Sequence, residues 1–157
     1  MRQQIRTKDK TKRKSMPVTE IKGDLFSSEE KYALAHCVAK DFKMGAGIAV
    51  AFSKKYAHGH YLRQLDAKVG DTIICRTNTG REIAYMVTKE ISSRLPNPSN
   101  AYDDMRQALV NLFNNVQSKY IAMPRIGCGL DRLDWTKVKR MVEELCPKDV
   151  TIVIYYL

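Results

Sequence analysis

No apolar run in the sequence approaches the roughly 20 residues a membrane helix needs, so no transmembrane span is expected. The basic N-terminus is not followed by an apolar segment, which argues against a secretory signal peptide. Cysteine is sparse. The four present are Cys37, Cys75, Cys128 and Cys146, and no two stand at C-x-x-C spacing, so neither a zinc site nor a redox motif is expected. At 157 residues the chain is large enough for one domain with a single core and does not need disulfides for stability. The cysteines therefore read as reduced, mostly buried thiols of an intracellular protein, nuclear or cytoplasmic. Acidic residues are also in deficit, at 17 Asp and Glu against 27 Lys and Arg, for a net charge of +10.

That excess is unevenly placed. Residues 1–16 hold seven of the 27 basic residues and one of the 17 acidic ones, a net +6, which leaves 20 basic and 16 acidic residues, a net +4, for the rest. A segment this polar cannot bury enough surface to offset its ordering entropy, so residues 1–16 read as a disordered tail ahead of a domain at 17–157. Within it, Lys10 to Lys14 suits nuclear import or contact with phosphate backbones, and equally a solvated extension with no dedicated role.

From Val18 onward, strand-like and helix-like segments alternate. Val18 to Lys22 reads as a strand ending at a Gly23-Asp24 turn. Tyr32 to Ala39 is a short apolar run suited to a strand buried on both faces. Gly47 to Tyr56 has helical spacing after a glycine-bearing turn, and Tyr61 to Lys68 reads as a further helix. Thr72 to Arg76 and Ile83 to Thr88 flank Asn78-Thr79-Gly80 as a β-hairpin. Tyr102, Met105, Leu109, Leu112 and Phe113 recur every three or four residues in a helix that Asn100 or a neighbour would cap. Tyr120 to Met123 is a strand, Asp134 to Leu145 a helix with Asp134 as its cap, and Val150 to Tyr156 a β-branched, aromatic strand. The pattern specifies an α/β sandwich with a mixed sheet.

Ligands of such sheets sit beyond the strand ends, which makes three loops informative. Asp24 and Leu25 close the first strand, where a carboxylate suits an exocyclic amine and Leu25 an apolar ring face. Taken alone, Asp24 reads first as a turn residue that caps its own backbone. Met44 to Ala49 leads into a helix whose free amides suit a phosphate, although a lone G-x-G also serves tight helix–sheet packing. Arg125 to Asp131 repeats the arrangement after Tyr120–Met123. Two such loops in one small domain fit a diphosphate better than either fits alone.

The string Met123-Pro124-Arg125-Ile126-Gly127-Cys128-Gly129-Leu130-Asp131-Arg132-Leu133 resembles one branch of the macrodomain family, the terminal ADP-ribose protein glycohydrolases, also called O-acetyl-ADP-ribose deacetylases. Lys22-Gly23-Asp24-Leu25-Phe26, Leu34-Ala35-His36-Cys37, Met44-Gly45-Ala46-Gly47-Ile48-Ala49-Val50 and Thr88-Lys89 are similar to that branch in the same order, and the resemblance runs from about Thr19 to Leu157. It implies a three-layer α/β/α sandwich with ADP-ribose in a cleft above the sheet. Asp24 and Leu25 would hold the adenine. Gly45, Ala46, Gly47, Ile48 and Ala49 would line the ribose and diphosphate path. Arg125, Ile126, Gly127, Cys128, Gly129 and Leu130 would wrap the diphosphate and distal ribose, and Leu157 would reach the pocket. Ala39 stands where a relative in the family carries a ligand-touching serine. If that contact is made by the backbone, alanine changes little; if it is made by the hydroxyl, one hydrogen bond of roughly 1 kcal/mol is lost.

The resemblance also assigns catalysis to Lys89 and Asp131. Lys89 ends the second hairpin strand and would reach the cleft from the sheet edge. Burial among apolar groups would favour its neutral, nucleophilic form. Attack on the anomeric carbon would expel an acyl group as a carboxylate, with Asp131 as general base. Seen singly, Lys89 reads as a solvated strand-end lysine, or the partner of Glu90 in a surface ion pair, and Asp131 as a helix-capping carboxylate.

The implied function is removal of ADP-ribose from glutamyl and aspartyl esters on proteins and deacylation of O-acetyl-ADP-ribose, with no cofactor and no metal. The alternative is a non-catalytic reader of ADP-ribose or poly-ADP-ribose in the same cleft. Nucleic-acid or poly-ADP-ribose contact through the tail is expected to be weak and salt-sensitive. No membrane partner is expected, and a monomer is. His58 and His60 are too few to make a metal site. His36 reads as a satisfied core histidine, and Trp135 as the anchor of the last helix.

Overall fold

A computed structural model describes residues 18–157; the reading of residues 1–16 as a tail lies outside the described residues. Six strands form one sheet: β1 (Val18–Lys22), β2 (Ala33–Ala39), β3 (Thr72–Arg76), β4 (Glu82–Lys89), β5 (Tyr120–Pro124) and β6 (Thr151–Tyr156), in the order β1-β6-β5-β2-β4-β3. All neighbours are parallel except the hairpin β3–β4, so the sheet is mixed and β3 is its antiparallel edge. The helices are α1 (Ile48–Tyr56), α2 (Gly59–Arg63), α3 (Ala101–Asn115) and α4 (Trp135–Leu145), with a 3-10 turn at Leu25–Ser27.

The central strands are apolar on both faces because both faces are covered. On one side Ala35, Met86, Met123 and Ile154 pack against Met105, Leu109 and Leu112 of α3 and Val138 and Val142 of α4. On the other Leu34, Val38, Ile83 and Tyr85 pack against Phe52 of α1 and Leu62 of α2. This is the three-layer α/β/α sandwich expected from the sequence.

Four local expectations change. The helix expected over Tyr61–Lys68 lies at Gly59–Arg63. Beyond it Leu65 N bonds back only three residues, to Leu62 O, and the Asp71 carboxylate accepts from Lys68 N at 2.8 Å, which draws that amide into a turn. Asn100 occupies the cap position of α3 but makes no side-chain cap bond; Asp103 and Asp104 in the first turn complement the helix dipole instead. Asp134 does cap α4, accepting from Thr136 N at 2.9 Å. The hairpin's second strand runs one residue further at each end than expected, to Glu82 and Lys89, and it is an interior strand between β2 and β3. Lys89 therefore leaves an interior strand, one in from the edge strand β3.

The fourth change concerns His36. It is fully buried, but among the described residues neither ring nitrogen has a hydrogen-bond partner. Its ring stacks on Phe52 at 3.7 Å and meets the edge of Tyr85 at 5.0 Å. Apolar and aromatic walls leave the imidazole nothing to bond, and burial holds it far below the ordinary histidine range, at about 3.

Candidate active site

The carboxyl ends of β2, β4 and β5 open into one cavity of about 410 Å³. Its floor is Cys37, Val38 and Ala39 of β2; its walls are residues 44–49, 124–127 and 129–131, with Lys89 and Ser92 completing the lining.

The wall after β2 is built by burying side chains that hold an unusual backbone. Phe42 and Met44 have left-handed φ angles of +51° and +50°, conformations that side chains seldom adopt. Both side chains are buried in the core beneath α1, and the Arg63 guanidinium donates to Phe42 O at 2.9 Å. The chain then turns through Gly47, φ +62° and ψ −152°, into α1, whose first two residues, Ile48 and Ala49, line the cavity. A Cβ on Gly47 would meet Leu130 Cδ1 at 3.5 Å, so the two walls approach each other here. Leu130 itself stays 64% exposed.

The opposite wall turns at Gly127, φ +75°, where a Cβ would lie 2.7 Å from Met105 Cε and 2.9 Å from Leu133 Cδ1. Leu133 N closes the loop by donating to Gly127 O at 2.8 Å. Gly127→Ala is expected to destabilise the protein by about 2–5 kcal/mol, since left-handed strain and overpacking add at one position. Gly129→Ala, where nothing lies within 4 Å, is expected to stay within about 0.5 kcal/mol of wild type. Paired urea melts check this; equal stabilities would show that the loop gives way at Gly127.

Lys89 is aimed by an irregularity in the sheet. Val38 pairs with Val87, but Ala39 pairs with Lys89, so Thr88 is an extra residue on β4. Such a bulge re-aims the side chains that follow it. Lys89 Nζ donates to Asp131 Oδ1 at 2.6 Å, with each side chain 13% exposed, so two residues 42 apart in sequence form a half-dry ion pair at the cavity wall. This contact replaces both single-residue alternatives, since Lys89 pairs with Asp131 and not Glu90, and Asp131 caps no helix. Behind the pair, burial together with the Asp131 charge pushes the Cys37 thiol up to about 12, so it stays protonated and poorly nucleophilic.

Of the residues expected at a ligand, Ala39, Gly45, Ala46, Gly47, Ile48, Ala49, Lys89, Arg125, Ile126, Gly127, Gly129, Leu130 and Asp131 line this cavity, and Asp24, Leu25, Cys128 and Leu157 do not. The Asp24 carboxylate accepts from Phe26 N at 2.9 Å, capping its own turn. Leu25 is buried in the core below α1. The Cys128 thiol donates to Ile126 O, and Leu157 is 96% exposed. Arg125 lines the cavity, but its guanidinium bonds the Glu20 carboxylate at 2.9 and 3.1 Å and lies 4.3 Å from the centre of the Tyr156 ring. Met44, which opens the loop at 44–49 already singled out, also lines it, as do Cys37, Val38, Ser92 and Pro124, which were not expected. Cys37, Met44 and Pro124 lie within the motifs that carry the family resemblance, and Val38 follows one of them; nothing in the sequence marks Ser92. Among the described residues no group of three or more His, Cys, Asp or Glu side chains is placed to hold a metal ion. His58 Nδ1 lies 2.7 Å from the Tyr85 hydroxyl, and His60 Nε2 lies 3.0 Å from Gln64 Nε2.

No family model matches the chain. It is 38% identical over 141 residues to a human protein named ADP-ribose glycohydrolase OARD1, an alignment that covers 89% of this chain and 91% of the relative. The macrodomain of Thermus aquaticus DarG superposes with a TM-score of 0.76 at 19% identity, over 89% of this chain and 98% of that one. Thermosipho africanus DarTG, solved in complex with ADP-ribose, matches with a TM-score of 0.76 at 18% identity, over 88% of this chain and 41% of that one. The last two likenesses carry the fold.

Proposed function

The chain belongs to the ADP-ribose glycohydrolase family, built on the macrodomain fold, and from that premise we propose that it hydrolyses ADP-ribose from acyl linkages, namely glutamyl and aspartyl esters on proteins and O-acetyl-ADP-ribose. The observation that carries the reading is the 2.6 Å contact between Lys89 and Asp131 at the cavity wall. An amine is a nucleophile only after losing a proton, and the carboxylate beside it is an acceptor already within hydrogen-bond reach.

In the proposed reaction the Lys89 nitrogen forms a bond to the anomeric carbon of the distal ribose as the carbon–oxygen bond to the acyl group breaks. The bonding pair leaves with the acyl oxygen as a carboxylate, and the amine proton passes to Asp131. Water then attacks the anomeric carbon as the carbon–nitrogen bond breaks; the protonated Asp131 returns its proton to the departing amine and, as a carboxylate again, takes one from the water, and ADP-ribose is freed. A carboxylate leaves readily without an acid to protonate it, which is why one amine and one base suffice for an acyl-linked substrate. The glycine-bearing loops at 45–49 and 125–131 offer amides to the diphosphate without a basic side chain.

The test pairs calorimetry with ADP-ribose and product release from a mono-ADP-ribosylated glutamyl peptide. Saturable one-to-one binding with release of free ADP-ribose is expected. Binding without release would leave a reader of ADP-ribose, and neither would remove the reading.

A further inference from the structure

Lys89 is held by more than its own strand. Lys40 N, in the loop after β2, donates to Lys89 O at 2.8 Å. One residue on, the Asp41 carboxylate reaches across to the segment after β4, accepting from Ser92 N at 2.9 Å and from the Ser92 hydroxyl at 2.5 Å, while its Oδ1 also accepts from Lys43 N at 3.1 Å. One side chain therefore ties the wall that runs toward α1 to the chain three residues beyond Lys89. Burial works against the carboxylate, but the Ser92 hydroxyl and amide and the Lys43 amide outweigh it and hold Asp41 below the usual carboxylate range. Neither residue belongs to any motif expected at the site.

We propose that Asp41 and Ser92 form a latch that positions Lys89 for catalysis, by tying the chain just beyond the β4 bulge to the loop after β2 so that the amine stays against Asp131 and in line with the distal ribose. A bulge leaves the ladder locally irregular, and the residue it re-aims needs a second restraint. The latch supplies one from outside the strand, through carboxylate bonds that are stronger than neutral ones. Asp41 is a positioning residue that acts through Ser92 and the backbone of Lys89.

This rests on the hydrolase reading above, and the experiment separates the two. Release of ADP-ribose from the glutamyl peptide is followed for wild type, Ser92→Ala, Ser92→Thr, Asp41→Ala and the Asp41→Ala/Ser92→Ala double variant, alongside calorimetric ADP-ribose affinity. Since a displacement of about 1 Å costs up to roughly 10²-fold, kcat is expected to fall about 10-fold in Ser92→Ala and 10–100-fold in Asp41→Ala, with ADP-ribose affinity within about 3-fold in Ser92→Ala. Threonine, which keeps the hydroxyl, is expected to restore most of kcat. The double variant is expected to match Asp41→Ala alone, because residues of one unit are not additive. If Asp41→Ala fails to fold, Ser92→Ala, which leaves the Lys43 bond intact, still decides the matter. A wild-type kcat in Ser92→Ala, a loss confined to KM, or additive effects in the double variant would each overturn the latch while leaving the hydrolase reading intact. Absence of release by the wild type would overturn the hydrolase reading and the latch with it.

Discussion

Lys89→Ala is expected to lower kcat for an acyl-linked ADP-ribose substrate to or beyond the far end of the roughly 10²–10⁴-fold range typical of a single positioned acid–base group, while ADP-ribose affinity changes only a few-fold. The asymmetry follows from geometry. Lys89 is one residue of the cavity lining, and the loops at 45–49 and 125–131 that would hold the diphosphate form its walls. Lys89→Arg separates nucleophilicity from charge. A guanidinium keeps the ion pair with Asp131 but stays protonated and cannot attack carbon. If Lys89 contributes only positive charge, arginine restores a substantial part of kcat; if it is the nucleophile, arginine is as inactive as alanine. Asp131→Asn is expected to fall within the same 10²–10⁴-fold range, because an amide fills the space but takes up no proton. Reduction of the reaction mixture with cyanoborohydride is expected to trap ADP-ribose on Lys89, seen as added mass on the peptide that carries it. Full activity of Lys89→Ala would remove the mechanism, and full activity of Asp131→Asn would remove the base.

The difference between what sequence and structure reveal follows the range of the interactions. Strands such as Tyr120–Met123 and Thr151–Tyr156 announce themselves through local composition, and Asp134 through its place before a helical pattern; both kinds of signal act within a few residues. The Lys89–Asp131 pair was legible only through the family resemblance, because singly each residue reads as ordinary surface. The Asp41–Ser92 contact spans 51 positions and joins two residues common in any loop, so no local pattern marks it. The Thr88 bulge is likewise invisible, since it is a property of the pairing between β2 and β4 and not of either strand. The expectation for Leu25 rests on its place beside a strand-end aspartate, a local signal that carries no information about burial, and its side chain is 3% exposed.

His36 shows how a tertiary environment inverts a local expectation, and it predicts a large effect of acid on stability. An unfolded chain titrates this imidazole near its ordinary 6.5, whereas the folded protein holds it at about 3 because burial disfavours the charged form. Above about pH 6.5 both states carry neutral His36 and the site contributes no pH dependence. As pH falls below that value the unfolded state binds a proton that the folded state refuses, so stability is lost progressively down to about pH 3. The difference of about 3.5 units corresponds to at most about 5 kcal/mol at the acid end of the window, on the order of the whole stability of a small domain. His36→Phe removes the titrating group and offers a ring to the stack on Phe52 and to the edge of Tyr85. It also removes two buried nitrogens that have no partner among the described residues, so the variant is expected to be at least as stable as wild type at neutral pH. Urea denaturation at pH 7.5, 5.5 and 4.5 isolates the term, because carboxylates that titrate in the same range are common to both proteins and cancel in the difference. The wild type is expected to lose about 1.4 kcal/mol per pH unit more than His36→Phe below pH 6. Parallel stability curves for the two proteins would mean that His36 is protonated or solvated in the folded state, and the burial account of its environment would have to be abandoned.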